Sequence, residues 1–137
     1  MGLGDFAARF DPALALWRID ACTPEAITAR TRPDLAEYLA LEALAQTCGM
    51  HARWLHEFRE QVFLVSLAGL VYPEDHGATG CVIRAELTGQ TGAAFSYAAR
   101  LDNGPACRVT MGRLPAATDT TLFRERFQCL TTPSPNA

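Results

Sequence analysis

Between Leu35 and Met50 the chain reads LAEYLALEALAQTCGM, apolar or small at almost every position, and this stretch limits the possible folds most sharply. A helix that is apolar on all sides belongs in a protein interior. Yet this one carries an acid, Glu42, and an amide, Gln46, one helical turn apart. Burying an unpartnered polar group costs roughly 2–7 kcal/mol, and a charge costs more, so Glu42 needs either a partner or a purpose. At i and i+4 the two side chains share one face, about 6 Å apart along the axis. Gln46 can therefore steady the Glu42 carboxyl or face the same bound molecule. The pair is the candidate site, with Gln46 as the group that orients Glu42.

The length of 137 residues suits one domain that buries roughly two-thirds of its unfolded surface. The expected division is a single domain over residues 1–130 and a flexible C-terminal tail over 131–137. Half the residues are hydrophobic and a fifth are charged, a globular balance. The net charge of −3 gives no electrostatic footprint for nucleic acid or an anionic membrane. No stretch is long and apolar enough for a membrane span, and MGLGDFAARF lacks the basic and apolar regions of a secretory signal. A cytoplasmic location is the expectation.

The five cysteines stand singly, with no CxxC pair and no histidine at zinc-finger spacing. Their apolar neighbours make them buried free thiols, and nothing basic adjoins Cys48 to activate it. No phosphate-type glycine loop follows a strand, so neither a metal nor a nucleotide cofactor is expected.

Patterning sets the order of elements. Leu14 to Ile19 and Ala26 to Thr31 read as strands around Thr23-Pro24. A helix of about 25 residues, near 38 Å, follows, with Pro33 in its first turn and Asp34 with Glu37 as a capping box. Its end, Arg53 to Glu60, is amphipathic. Val62 to Val71, Cys81 to Thr88, Ala94 to Leu101 and Pro105 to Leu114 then read as strands, two of them with strict period-two alternation. Asn103-Gly104 is a hairpin signal. Asp119 to Phe127 forms a short helix or an irregular strand. An antiparallel sheet curled around one long helix, an α+β domain, fits this order. Arg84, Arg100 and Arg108 fall on the solvent side of regular strands, and Trp17, Tyr38 and Trp54 are core or interface aromatics.

LEALAQTCGMHA, Leu41 to Ala52, resembles the central-helix motif of the 3-hydroxyacyl-acyl-carrier-protein dehydratases, which have the hotdog fold. More weakly, Leu16 to Thr31 resembles the strands before that helix, and Phe63 to Met111 the sheet around it, with Pro73 to Gly77 near the family's Pro-Gly-Asp turn. The resemblance implies that Glu42 works with a histidine from the loop before the helix, moving protons between the α-carbon and β-hydroxyl of an acyl thioester. It also implies that amides at the helix start hold the thioester carbonyl. Between Arg30 and Glu42 this chain reads TRPDLAEYLAL, without histidine. His51 falls on the opposite helix face from Glu42, and His56 lies about 21 Å beyond it by the helical rise, among charged residues that imply a solvated position. His76 sits in a turn.

Three functions follow from that departure. One is a dehydratase-like protein of fatty-acid-like or polyketide-like synthesis, with Glu42 as acid/base and an unidentified second group. Another is an acyl thioesterase using the single helix carboxylate. The third is a non-catalytic acyl-binding protein or structural partner of an active dehydratase, with Glu42 satisfied by Gln46, a backbone amide, Arg30 or Arg32. The expected partners are an acyl thioester, an acyl carrier protein, and a second copy in a homodimer or a higher assembly of dimers.

Overall fold

The computed structural model describes residues 11–73, 80–115 and 121–132. Six strands form one antiparallel sheet: β1 (Leu16–Cys22), β2 (Ala26–Thr31), β3 (Glu60–Val71), β4 (Val82–Gln90), β5 (Ala94–Leu101) and β6 (Ala106–Pro115). Their order across the sheet is β1-β2-β4-β5-β6-β3. Helix α1 (Ala40–Leu55) packs against every strand from one side, and α2 (Thr121–Thr131) packs over β1. This is the antiparallel sheet around one helix expected from the order of elements, and the hotdog arrangement that the resemblance implies.

Alternation explains which face of the sheet meets the helix. Ile83 and Ala85, then Phe95, Tyr97, Ala99 and Leu101, then Cys107, Val109 and Met111 are buried, and the residues between them look outward. From α1, Ala43, Leu44, Cys48 and Ala52 meet this layer with no exposed surface. Small side chains on the helix let the sheet curl closely around it. β2 and β5 have the bounds expected from sequence. The turn after β5 is the expected hairpin, with Asn103 at φ 53° and Gly104 N–H donating to Leu101 O at 2.9 Å.

Several expectations need correction. α1 spans 16 residues, not about 25. Pro33-Asp34 forms a turn, in which Leu35 N–H donates to Arg32 O (3.2 Å) and Arg32 Nε donates to Asp34 Oδ1 (3.2 Å). Asp34 is therefore engaged before the helix, no capping box forms, and a 3-10 turn at Glu37–Leu39 leads into α1. At the other end, Glu57 and Phe58 take left-handed backbone angles (φ 56° and 61°), and Phe58 N–H reaches back to Arg53 O at 2.8 Å. Burial of the Phe58 ring, 6% exposed, holds a conformation that costs a non-glycine residue roughly 1–2 kcal/mol. β1 begins two residues later than expected, because Leu14 belongs to a 3-10 turn whose Ala13 N–H is capped by Asp11 Oδ1. The C-terminal element is a helix that includes Thr131. Of the aromatics expected in the core or at an interface, Trp17 and Tyr38 are exposed and Trp54 is half-buried, and of the five free cysteines only Cys48 and Cys107 are buried, with Cys22 and Cys81 half-buried and Cys129 exposed. His76, Gly77 and Asp119 lie outside the described residues.

The sheet's two edges differ. On β1, Arg126 Nη2 donates to Leu16 O (2.9 Å) and Ala13 O (3.3 Å), so α2 occupies part of the free backbone. Among the described residues β3 pairs only with β6, and Phe63, Leu64, Val65, Leu67, Leu70 and Val71 are all exposed. Among the described residues, no helix is long and apolar enough to cross a membrane.

Candidate functional site

Glu42 stands in the first turn of α1, where the helix dipole favours a carboxylate. Contrary to expectation, its side chain is exposed and not sealed in the core. The helix is apolar without being enclosed: one stripe, with Leu41, Glu42 and Gln46, is left open by the sheet. The expected pairing does form. Gln46 Nε2 donates to Glu42 Oε1 at 3.0 Å and also to Pro12 O at 2.5 Å. The segment before β1 thus anchors the amide, and the amide orients the carboxyl. Neither Arg30 nor Arg32 reaches Glu42, because Arg30 pairs with Asp20 (2.7 Å) and Arg32 with Asp34.

Beside the helix start lies a cavity of about 660 Å³. The β2–α1 connection (Arg32, Pro33, Glu37, Tyr38), the helix residue Ala40, the end of β3 (Tyr72, Pro73) and the β5–β6 turn (Asn103, Pro105) contribute to its wall. Its volume is within the range of small-molecule sites, about 300–1,000 Å³. Glu42 and Gln46 are not in this wall, although Ala40 is. The sequence reading took Pro33 and Glu37 only as helix-start signals and Asn103 only as a turn former, and assigned none of them to a site. The signal it missed is that two turns and a helix start converge on one spot.

His51 and His56, the two histidines among the described residues, are placed away from Glu42. His51 is fully buried against the sheet, with Nε2 2.7 Å from Thr23 O and Nδ1 2.8 Å from Tyr97 Oη. Thr23 O can only accept, so Nε2 carries the proton and Nδ1 accepts from the Tyr97 hydroxyl. Burial pushes the His51 pKa below its ordinary value, which keeps the ring neutral. The sequence reading expected His56 in solvent. It is instead half-buried beside Phe95, with Nδ1 3.3 Å from Arg113 Nη2 and 3.6 Å from Glu60 Oε1. Arg113 grips Glu60 with two bonds of 2.7 and 2.5 Å, and these hold the Glu60 carboxyl below the usual carboxylate range. Burial pushes the Cys48 thiol up, away from nucleophilic use. Among the described residues, no group of three metal-ligating side chains is found.

No family model matches the chain, and no curated protein matches it in sequence. Solved structures do resemble it. A thioesterase family protein from Silicibacter pomeroyi superposes with a TM-score of 0.62 at 18% identity, over 82% of this chain and 96% of that one. A hypothetical thioesterase from Streptococcus pneumoniae, solved with coenzyme A, gives 0.57 at 10% identity over 85% and 100%. The dehydratase heterocomplex ApeI:P from Xenorhabdus doucetiae gives 0.52 at 13% identity over 85% and 93%. At these identities the likeness is one of fold, and that fold is the hotdog. It does not distinguish the dehydratase branch from the thioesterases.

Proposed function

We propose that this protein binds and processes acyl thioesters at the start of α1, as a homodimer in the cytoplasm, and that hydrolysis is the reaction its geometry supports best. One observation carries the reading. A carboxylate on the first helical turn, Glu42, is open to solvent and held by an amide that is itself anchored to Pro12 O. Such a group can take a proton from water as the water oxygen bonds to the thioester carbonyl carbon. As the C–S bond breaks, the proton passes to the departing thiolate. Attack by the carboxylate itself, through an anhydride that water then opens, is the alternative route.

Dehydration needs a second proton-transfer group. His51 is committed to Thr23 and Tyr97, and His56 to the Arg113–Glu60 pair, so neither serves Glu42 within one chain. That favours a single-carboxylate hydrolase over a dehydratase. The superposed proteins include a thioesterase family protein and a hypothetical thioesterase solved with coenzyme A, which supports a thioester ligand. A carrier-protein thioester is the other form of that ligand.

The dimer reading rests on β3. An exposed, apolar, unpaired edge strand is a template for another strand, and a two-fold axis would join two copies of β3 into one continuous sheet.

The test is thiol release from acyl-coenzyme A and acyl-carrier thioesters of graded chain length, with 3-hydroxyacyl thioesters assayed in parallel for double-bond formation. Wild type should hydrolyse a subset. Glu42→Gln, which keeps shape and hydrogen-bonding capacity, should abolish turnover while leaving stability within about 1 kcal/mol. Turnover unchanged in Glu42→Gln would refute the assignment. Wild type inert on every thioester, yet protected thermally by an acyl ligand, would transfer the protein to the binding class.

A further inference from the structure

The face of the sheet turned away from α1 carries chemistry that the proposed site does not use. All twelve cationic side chains of the chain are arginines, and five of them lie on this face or its β1 margin. In register, Arg18 is opposite Arg30, Arg84 is opposite Arg100, and Arg108 is one strand further over, opposite Ala98. Like charges directly opposite on neighbouring strands destabilise a sheet, so folding alone does not explain the arrangement. Asp20 ties Arg18 to Arg30, and Glu86 holds Arg84 at 3.0 Å. Arg100 and Arg108 are exposed and make no ion pair or hydrogen bond among the described residues. Counting Asp20, Glu86 and Asp102 at the rim, the face has an excess of two positive charges on a chain whose net charge is −3.

Its relief matches its charge. Arg84 and Arg100 form a ridge between two shallow grooves of about 320 and 380 Å³. The first is floored by the small side chains Ala98 and Ala106, and Asn103 and Thr28 line the second.

We infer that this arginine ridge and its grooves dock an acidic helical segment of a protein partner. Neighbouring strands lie about 4.8 Å apart, close to the spacing of carboxylates at i and i+4 on a helix, and the guanidinium fork meets a carboxylate through two bonds. A second copy of this chain does not fit, because a two-fold would set the arginines against themselves. A nucleic acid does not fit either, since a long polyanion would run off the face onto the net-negative remainder.

The probe is a fluorescent helical peptide with glutamates spaced four apart, titrated at low salt and followed by anisotropy. Arg100→Glu and Arg108→Glu should each weaken binding by about fivefold or more, and added salt should weaken the wild type. Arg59→Glu makes the same charge change at a remote exposed site and should leave binding within about twofold. Glu42→Gln should bind like wild type, so the docking face stands or falls separately from the proposed active site. Circular-dichroism melts check that each variant is folded. No binding at low salt, equal losses in all three arginine variants, or tighter binding of a single-stranded oligonucleotide of equal charge would overturn the inference.

Discussion

Tyr97→Phe removes one oxygen from a fully enclosed network, so its consequence can be worked from the structure. Tyr97 and His51 have no exposed surface, and the hydroxyl is 2.8 Å from His51 Nδ1. Without it Nδ1 becomes a buried acceptor with no donor, which costs about 1–3 kcal/mol. Turning the ring to use Nδ1–H would only move the deficit, because Nε2–H already satisfies Thr23 O at 2.7 Å. At about 2.1 cal/mol/K of unfolding entropy per residue, a loss of 1–3 kcal/mol lowers the melting point by roughly 3–10 °C for a chain of this size. The assay is thermal and urea unfolding at one fixed protein concentration, since a dimer's melting point depends on concentration. In a His51→Leu background the same Tyr97→Phe change should cost at least about 0.5 kcal/mol less, because the orphaned acceptor is gone. A cost below about 0.5 kcal/mol for Tyr97→Phe alone would refute the tautomer and the network.

The same histidine predicts a pH response. Its folded pKa lies below its unfolded value, so the unfolded state binds the proton more readily. The stabilisation is therefore complete above about pH 6.5 and declines as pH falls toward the depressed folded value. His51→Leu should flatten that decline, and an unchanged slope would assign it to other groups.

Val65→Lys, on the exposed part of β3, should turn a dimer into a monomer in light scattering after size exclusion; a wild type that is monomeric at micromolar concentration would remove the dimer from the proposal. Glu60→Gln should cost about 1–3 kcal/mol by leaving Arg113 without its carboxylate in a half-buried setting. In the wild type this pair stabilises above the ordinary glutamate pKa of about 4.3 and is lost as pH falls through the depressed folded value, which acid titration of the two proteins would compare. Glu57→Gly should raise stability by up to about 1 kcal/mol, because glycine adopts φ 56° without strain and the exposed Glu57–Arg59 pair it removes contributes little; a lower melting point would show that the turn is not strained.

Strands with one covered face were readable because burial writes a period of two directly into the residues. β5, with Phe95, Tyr97, Ala99 and Leu101 inward, is the clearest case. The helix ends were not readable, for local reasons. Asp34 can cap either a turn or a helix, and the choice depends on Arg32 being within reach. Phe58 follows Trp54 at helical spacing, yet its ring enters the core from a left-handed turn. His56 looked solvated among charged neighbours because the Arg113 that draws it inward comes from a strand 57 residues further on.

Glu42 and β3 are both more exposed than the apolar pattern around them suggests, for one underlying reason. An alanine-rich helix reads as apolar all round because alanine is compatible with either environment, so the pattern could not report that the sheet leaves one stripe of α1 uncovered. β3 carries Phe63, Leu64, Val65 and Leu67, apolar on both faces, but a single chain covers neither face fully. Apolar residues on both faces of an edge strand bring a monomer aggregation risk and no packing. They make physical sense where a further surface covers them, and a second β3 across a two-fold axis supplies one without any new sequence. In the proposed dimer that argument makes β3 part of an interior that only the assembly completes, and it leaves Glu42 on the stripe of α1 that its own sheet does not cover.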